Sequence, residues 1–226
     1  PHLAYGEQEL GRIQANSTSG LSTTTAIAAA NSYFAGISPL SLSGVKAVGP
    51  NRQILYRNYY ARTTGTINGP NYQTTNLGYF FQDLVGGINL FKSGTTTPTL
   101  NLGDSVIVLG KIDQFRGLTE IIPDTVGVDI IIVATGRTVT PIVLTMPTFN
   151  SNPELYESRL IRMNTLTRRD ATPPWPNLGQ SANIVVYQGV VTDTIVMRID
   201  SDTPIPGNPE PTYPVNVVGV AGQFTS

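Results

Sequence analysis

The chain has 226 residues, 40% of them hydrophobic, and a formal charge of −1. It can therefore bury one large core or two small ones, and it is neither a disordered tail nor a polycation built to neutralise phosphates. Charged residues are only 13% and the absence of cysteine excludes both a disulfide framework and thiolate metal sites.

Lysine occurs only at Lys46, Lys92 and Lys111, while Ser, Thr, Asn and Gly fill the polar positions. Cytosolic proteins usually stay soluble through Lys and Glu, so this surface chemistry predicts an exported, extracellular or cell-surface protein of bacterial type. No apolar run approaches the roughly 20 residues a membrane helix needs, and no membrane span is expected. An exported chain is expected to have lost its signal peptide.

Residues 1–50 form an arm rich in Ser, Thr, Ala and Gly, with a short helix expected around residues 24–33. From residue 51 the pattern becomes β. Residues 59–67 (YYARTTGTI) alternate and end at Asn-Gly-Pro, a turn signal. Residues 78–84 and 87–92 flank a Val-Gly-Gly turn and predict a hairpin, as do residues 104–114 and 117–122. Gly110 sits in mid-strand, where a bend or bulge is expected. The apolar runs GVDIIIVA and TPIVLTM supply buried strands or the crossing to a second unit, residues 151–226. There the predicted elements are a strand at 157–165, a Pro-rich loop at 168–179, a hairpin of 183–188 with 193–200, and a last strand from Val215 after a second Pro-rich loop.

An internal repeat links the two units. Residues 106–115 (VIVLGKIDQF) align without gaps on residues 215–224 (VNVVGVAGQF), with two valines, the glycine and the Gln-Phe pair coinciding. Gln82-Asp83 falls over Thr192-Asp193 at nearly the same offset.

Four motifs in the first unit form a recognisable order. They are an aromatic strand ending Gln-Asp (GYFFQD), a Gly-Gly-Ile strand, a Gly-Asp ahead of a V-x-V-x-G strand, and Phe-x-Gly-Leu-Thr-Glu. Over residues 59–122 the chain resembles the OB-fold domains appended to secreted bacterial nucleases and other exported proteins. The second unit lacks the Gly-Gly-Ile and Gly-Leu-Thr-Glu motifs, and joins the resemblance only through the repeat. The resemblance implies an all-β protein of two OB-like Greek-key barrels in tandem, at 51–150 and 151–226, behind an extended, partly helical arm. It also implies export and a non-catalytic accessory role. No nuclease domain is present, so nuclease activity does not carry over.

Catalytic chemistry has little to stand on. The single histidine is His2, and there is no GxGxxG or phosphate-cradling loop. Asp83 and Glu120 can be imagined meeting at one barrel mouth, although such carboxylates more often satisfy turn donors. Asp193, Asp200 and Asp202 are weak calcium candidates, because their spacing matches no EF-hand loop. No cofactor and no catalytic residue are expected.

Nucleic acid or polysaccharide is a possible ligand, through a face of Tyr79, Phe81, Arg62, Lys111 and Arg116, with Phe80 and Phe91 assigned to the core. Trp175, in Pro-Pro-Trp-Pro, either contacts a partner or folds back over its barrel. The leading expectation is a structural subunit that polymerises into a filament, sheath or surface layer. Its arm, anchored by Leu3, Tyr5, Leu10 and Ile13, would add to a neighbour's barrel edge.

Overall fold

The computed structural model describes residues 39–49 and 54–223; Leu3, Tyr5, Leu10, Ile13 and the helix expected around 24–33 lie outside them. The described residues build an all-β protein of two successive sheets, each accompanied by a short helix.

The first sheet contains β1 (Tyr60–Ile67), β2 (Leu77–Gln82), β3 (Gly87–Lys92), β4 (Ser105–Phe115) and β5 (Leu118–Ile122). They run in the order β1-β2-β3-β5-β4, and β4 pairs back on β1, so the sheet closes on itself. All these pairings are antiparallel except β3 with β5. A closed five-stranded Greek key of this order is the OB topology. Period-2 alternation delivers Leu77, Tyr79 and Phe81 of β2, Ile88 and Leu90 of β3, Val106, Val108 and Ile112 of β4 and Ile121 of β5 to one core. β6 (Ile130–Ala134) extends the edge of β4.

The helix α1 (Leu42–Val45) lies ahead of β1, capped by the Ser41 side chain, and sends Leu42 and Val45 into the same core. The two turn glycines of the Gly-Gly-Ile motif are required by close approach. A Cβ on Gly86 would meet the Ser43 amide nitrogen at 2.7 Å, and one on Gly87 would meet the Ser158 carbonyl oxygen at 2.4 Å.

The second sheet contains β7 (Ile142–Leu144), β8 (Leu160–Arg168), β9 (Ala182–Tyr187), β10 (Thr194–Ile199) and β11 (Val215–Val220), with helix α2 (Met146–Ser151) and a 3₁₀ turn (Pro153–Leu155) between β7 and β8. Its order is β10-β9-β8-β11, with β7 parallel on β8. β8 begins at Leu160, three residues beyond the expected start, because Glu157 and Ser158 belong to the junction between the units.

The β1–β4 and β8–β11 pairings have the same register at the residues of the repeat. Arg62 pairs with Leu109 and Ala61 with Gly110; Arg162 pairs with Val218 and Ile161 with Gly219. These are the residues that the gap-free sequence alignment superimposes. The likeness also reaches upstream. Pro39 bridges Arg62 in parallel as Val143 pairs with Arg162, and the next residues, Leu40-Ser41-Leu42 and Leu144-Thr145-Met146, each supply a hydroxyl N-cap and a fully buried first helical residue. Asp83 accepts from the Leu42 amide and Gln188 from the Met146 amide. The counterpart of Asp83 is therefore Gln188 and not Asp193, since the helix contact aligns the two turns.

Candidate functional site: the open edges of the second sheet

In the first barrel β5 occupies the space between β3 and β4. Its residues Asn89↔Glu120 and Leu90↔Ile121 pair on one side, and Lys111↔Ile122 through Phe115↔Leu118 on the other. Among the described residues no strand takes that position in the second sheet, and no pairing joins β10 to β11. Each of these strands is paired along one edge only, to β9 and β8 respectively.

Matched positions show the consequence. Ile88 and Leu90 of β3 are sealed, whereas their counterparts Ile195 and Met197 of β10 are half-buried against the second core. Asn89, beneath β5, is 5% exposed, and its counterpart Val196 is 61% exposed. Leu109 packs with Ile107, Tyr60 and Ile131 of β6 and is 1% exposed, whereas its counterpart Val218 is 49% exposed, no described strand standing in the place of β6. Gly110 and Gly219 make the sharpest contrast. A Cβ on Gly110 would strike the β5 backbone, with the Ile122 carbonyl oxygen at 2.7 Å, while a Cβ on Gly219 meets nothing within 4 Å. The second unit thus keeps the glycine that makes room for a fifth strand, and among the described residues the outer edges of β10 and β11 have no strand partner.

A polar seam joins the units. Asn68 donates to the Ser158 carbonyl at 2.8 Å, and the Gln82 side chain accepts from the Leu160 amide at 2.6 Å. The Lys46 ammonium sits 3.5 Å from Glu157 Oε1 and donates to the carbonyls of Glu154 and Glu157. Burial pushes the Lys46 amine down and the Glu157 carboxyl up, each opposed by the charge of the other. Their separation of 111 positions hides the pair from any local pattern.

The residues singled out from sequence distribute unevenly. Tyr79 and Phe81 are not exposed: both lie in the first core, where the Tyr79 hydroxyl accepts from the Leu100 amide, so neither can stack on a ligand. Phe80 and Phe91, assigned to the core, are the half-buried ones, and Phe80 packs edge-on against Tyr72. Apolar residues occupy both parities of Gly-Tyr-Phe-Phe, and the contacts to Ile88 and Leu90 decide which parity turns inward. Arg62 and Lys111 are half-buried. Arg116 is exposed at the tip of the β4–β5 hairpin, 5.8 Å over the ring of the exposed Phe115.

Asp83 holds the amides of Val85 and Gly86 and does not meet Glu120. Glu120 lies across from Asp113, and burial, then the Asp113 charge, raises its carboxyl to about 7. Asp113 is itself ion-paired to Arg57 at 2.9 Å. This arrangement can hold or release a proton near neutrality.

Asp193 precedes β10 and Asp200 follows it, so about 20 Å of strand separates them. Asp193 accepts from Asn150, Asp200 from Arg198 and Asp202 from Thr74. No group of three metal-ligating side chains occurs among the described residues. Trp175 folds back on the second core, within a loop that Arg168 ties down through the carbonyls of Asp170, Ala171 and Pro173 and through Glu210. No helix among the described residues is long and apolar enough to cross a membrane.

No family model matches the chain. Over 55 residues, 24% of its length, it is 44% identical to the endonuclease YhcR of Bacillus subtilis (strain 168), and the match spans 4% of that protein. That segment fits an OB-like domain. Similar solved structures include the E. coli protein YgiW (TM-score 0.31, 18% identity, 40% of this chain and 89% of that one) and the OBody AM1L10 bound to hen egg-white lysozyme (0.34, 14%, 44% and 98%). The aspartyl tRNA synthetase of Entamoeba histolytica is a third (0.38, 10%, 54% and 28%). The barrel assignment rests on strand order and register, not on these scores.

Proposed function

We propose that the protein is an extracellular structural subunit, built from tandem OB-like units, that self-assembles into a filament, sheath or surface layer through its amino-terminal arm and barrel edges. The observation that carries this reading is the pair of outer strand edges, on β10 and β11, that no other described residue pairs. Unpaired backbone donors and acceptors beside exposed valines are a template for strand addition. The low charge of the chain supports close packing between copies. The sequence resemblance to barrels of exported nucleases supports secretion and an accessory role.

Light scattering and negative-stain microscopy of the purified chain test this reading. Extended polymers are expected, and a stable lone particle at tens of micromolar would overturn it.

A second reading, a secreted binding module for nucleic acid or polysaccharide, draws on one feature: the exposed Phe115 under Arg116, with Lys111 on the same strand. A salt-sensitive gel shift or a glycan-array signal abolished by Phe115→Ala would favour it over the polymer.

A further inference from the structure

Among the described residues four that are not glycine have a positive φ: Asn58, Arg116, Ser158 and Thr165. Ser158, between the 3₁₀ turn and β8, is the fully buried one, with φ at 65°. Its conformation is imposed from both sides. Asn68 of the first unit donates to its carbonyl at 2.8 Å, and a Cβ on Gly87 would meet that same oxygen at 2.4 Å. Its amide donates to the Ala221 carbonyl at 2.7 Å. A strained backbone over-determined in this way stores free energy that a reaction can release.

The strain has a direction. At an ordinary φ of about −60° the Cβ of a residue points away from the preceding carbonyl carbon. At a φ of 65° it turns gauche to that carbon, the crowding that disfavours this region for side chains. Ser158 Cβ therefore lies on the side of the Glu157 carbonyl, and rotation about one bond lets Oγ close a five-membered ring on its carbon. The oxygen of that carbonyl accepts from the Lys46 ammonium at 3.0 Å, and the Lys46 side chain is 9% exposed. A fixed positive charge thus sits on the atom where negative charge would develop, in surroundings poor in water. Ser158 Oγ has no hydrogen-bond partner among the described residues.

Thr165 supplies a contrast. It too bears a hydroxyl at a positive φ, 54°, but it is exposed. The Asn164 carbonyl ahead of it accepts from the neutral Gln188 amide and from the Thr165 hydroxyl itself.

We infer that the chain cleaves its own backbone between Glu157 and Ser158. Ser158 Oγ adds to the Glu157 carbonyl carbon while the Lys46 ammonium holds the oxyanion. The carbon–nitrogen bond then breaks, the hydroxyl proton ends on the Ser158 nitrogen, and an ester joins the two residues. Water hydrolyses that ester, leaving a carboxylate on Glu157 and a free amine and hydroxyl on Ser158. The pieces stay together, because β7 pairs with β8 across the cut and the Ala221 amide donates to the Arg159 carbonyl.

The intact mass of the purified full chain under denaturing conditions tests this, after incubation at neutral pH with and without hydroxylamine, which captures an ester as a hydroxamate. Water alone should give fragments 1–157 and 158–226, whose masses sum to the chain plus one water. Hydroxylamine should speed the cut and leave the hydroxamate on Glu157. Ser158→Ala should abolish cleavage, and Lys46→Met should slow it by about a hundredfold.

A wild-type chain that keeps a single mass in both conditions overturns the inference. So does cleavage undiminished in Ser158→Ala, cleavage as fast in Lys46→Met as in the wild type, or a cut at another bond, Asn164–Thr165 included. Should Lys46→Met not fold, the wild type and Ser158→Ala still decide.

Discussion

The two sheets share a register, but among the described residues the second has no counterpart of β5 or of β6. In the first, β5 flanks β3 and β4, and Ile88, Leu90, Val106, Val108 and Ile112 of those strands are buried. In the second, the corresponding strands keep the same pairing with their inner neighbours but leave Ile195 and Met197 half-buried and Val196 and Val218 exposed. Equivalent residues are therefore buried or exposed according to the strands that flank them: Ile88 and Leu90 are sealed next to β5 and Leu109 next to β6, while Ile195, Met197 and Val218 have no such described neighbour.

The largest expected effect comes from the paired glycines. Gly110→Val places a side chain against the Ile122 backbone and should destabilise the first barrel by more than about 3 kcal/mol, whereas Gly219→Val should change the stability of the unassembled chain by no more than about 0.5 kcal/mol. Urea midpoints of the two variants check this, and equal losses would break the comparison.

Next come the inward β3 and β10 positions. Leu90→Ala should cost about 3 kcal/mol and Met197→Ala about 1 kcal/mol, because only the first side chain is sealed on all sides.

The junction tests whether the two units share stability. Glu157→Gln leaves the buried Lys46 ammonium without its carboxylate and should cost about 3 kcal/mol. Most of that loss should return in the double variant Lys46→Met/Glu157→Leu, as read from thermal unfolding.

A smaller effect separates the units by pH. The Glu120 carboxyl is raised from 4.5 to about 7 in the folded chain, so the folded state binds the proton more tightly than the unfolded one. The contribution of Glu120 to the first barrel is accordingly fully present below pH 4.5 and is lost as pH rises from 4.5 through about 7. Glu120→Gln should flatten the dependence of its melting temperature over that window, and a second sheet unaffected by the change would confirm the localisation.

Much of this architecture was legible in the sequence, for identifiable reasons. Hairpins announced themselves through Gly-Gly and turn residues, and the gap-free match of 106–115 with 215–224 carried the true register because Gly110 and Gly219 mark the same ladder position. The second unit lacks the Gly-Leu-Thr-Glu motif, whose Leu-Thr-Glu begins β5 in the first unit, and no described residue of the second sheet takes that strand's place. Parity in Gly-Tyr-Phe-Phe was not legible, because both faces are apolar and only the cross-strand partners choose between them. Neither was the Lys46–Glu157 contact, which joins distant segments, nor the parallel pairing of Pro39 and Val143 ahead of each barrel, which involves too few residues to leave a period.

Hydrogen–deuterium exchange over β10 and β11, compared between the polymer and the dispersed chain, tests the open sheet edges most directly. Amides in residues 194–199 and 215–221 should exchange rapidly in the dispersed chain, well ahead of those in β3 and β4, and become protected in the polymer. Equal, strong protection of these segments in both states would contradict open edges on β10 and β11.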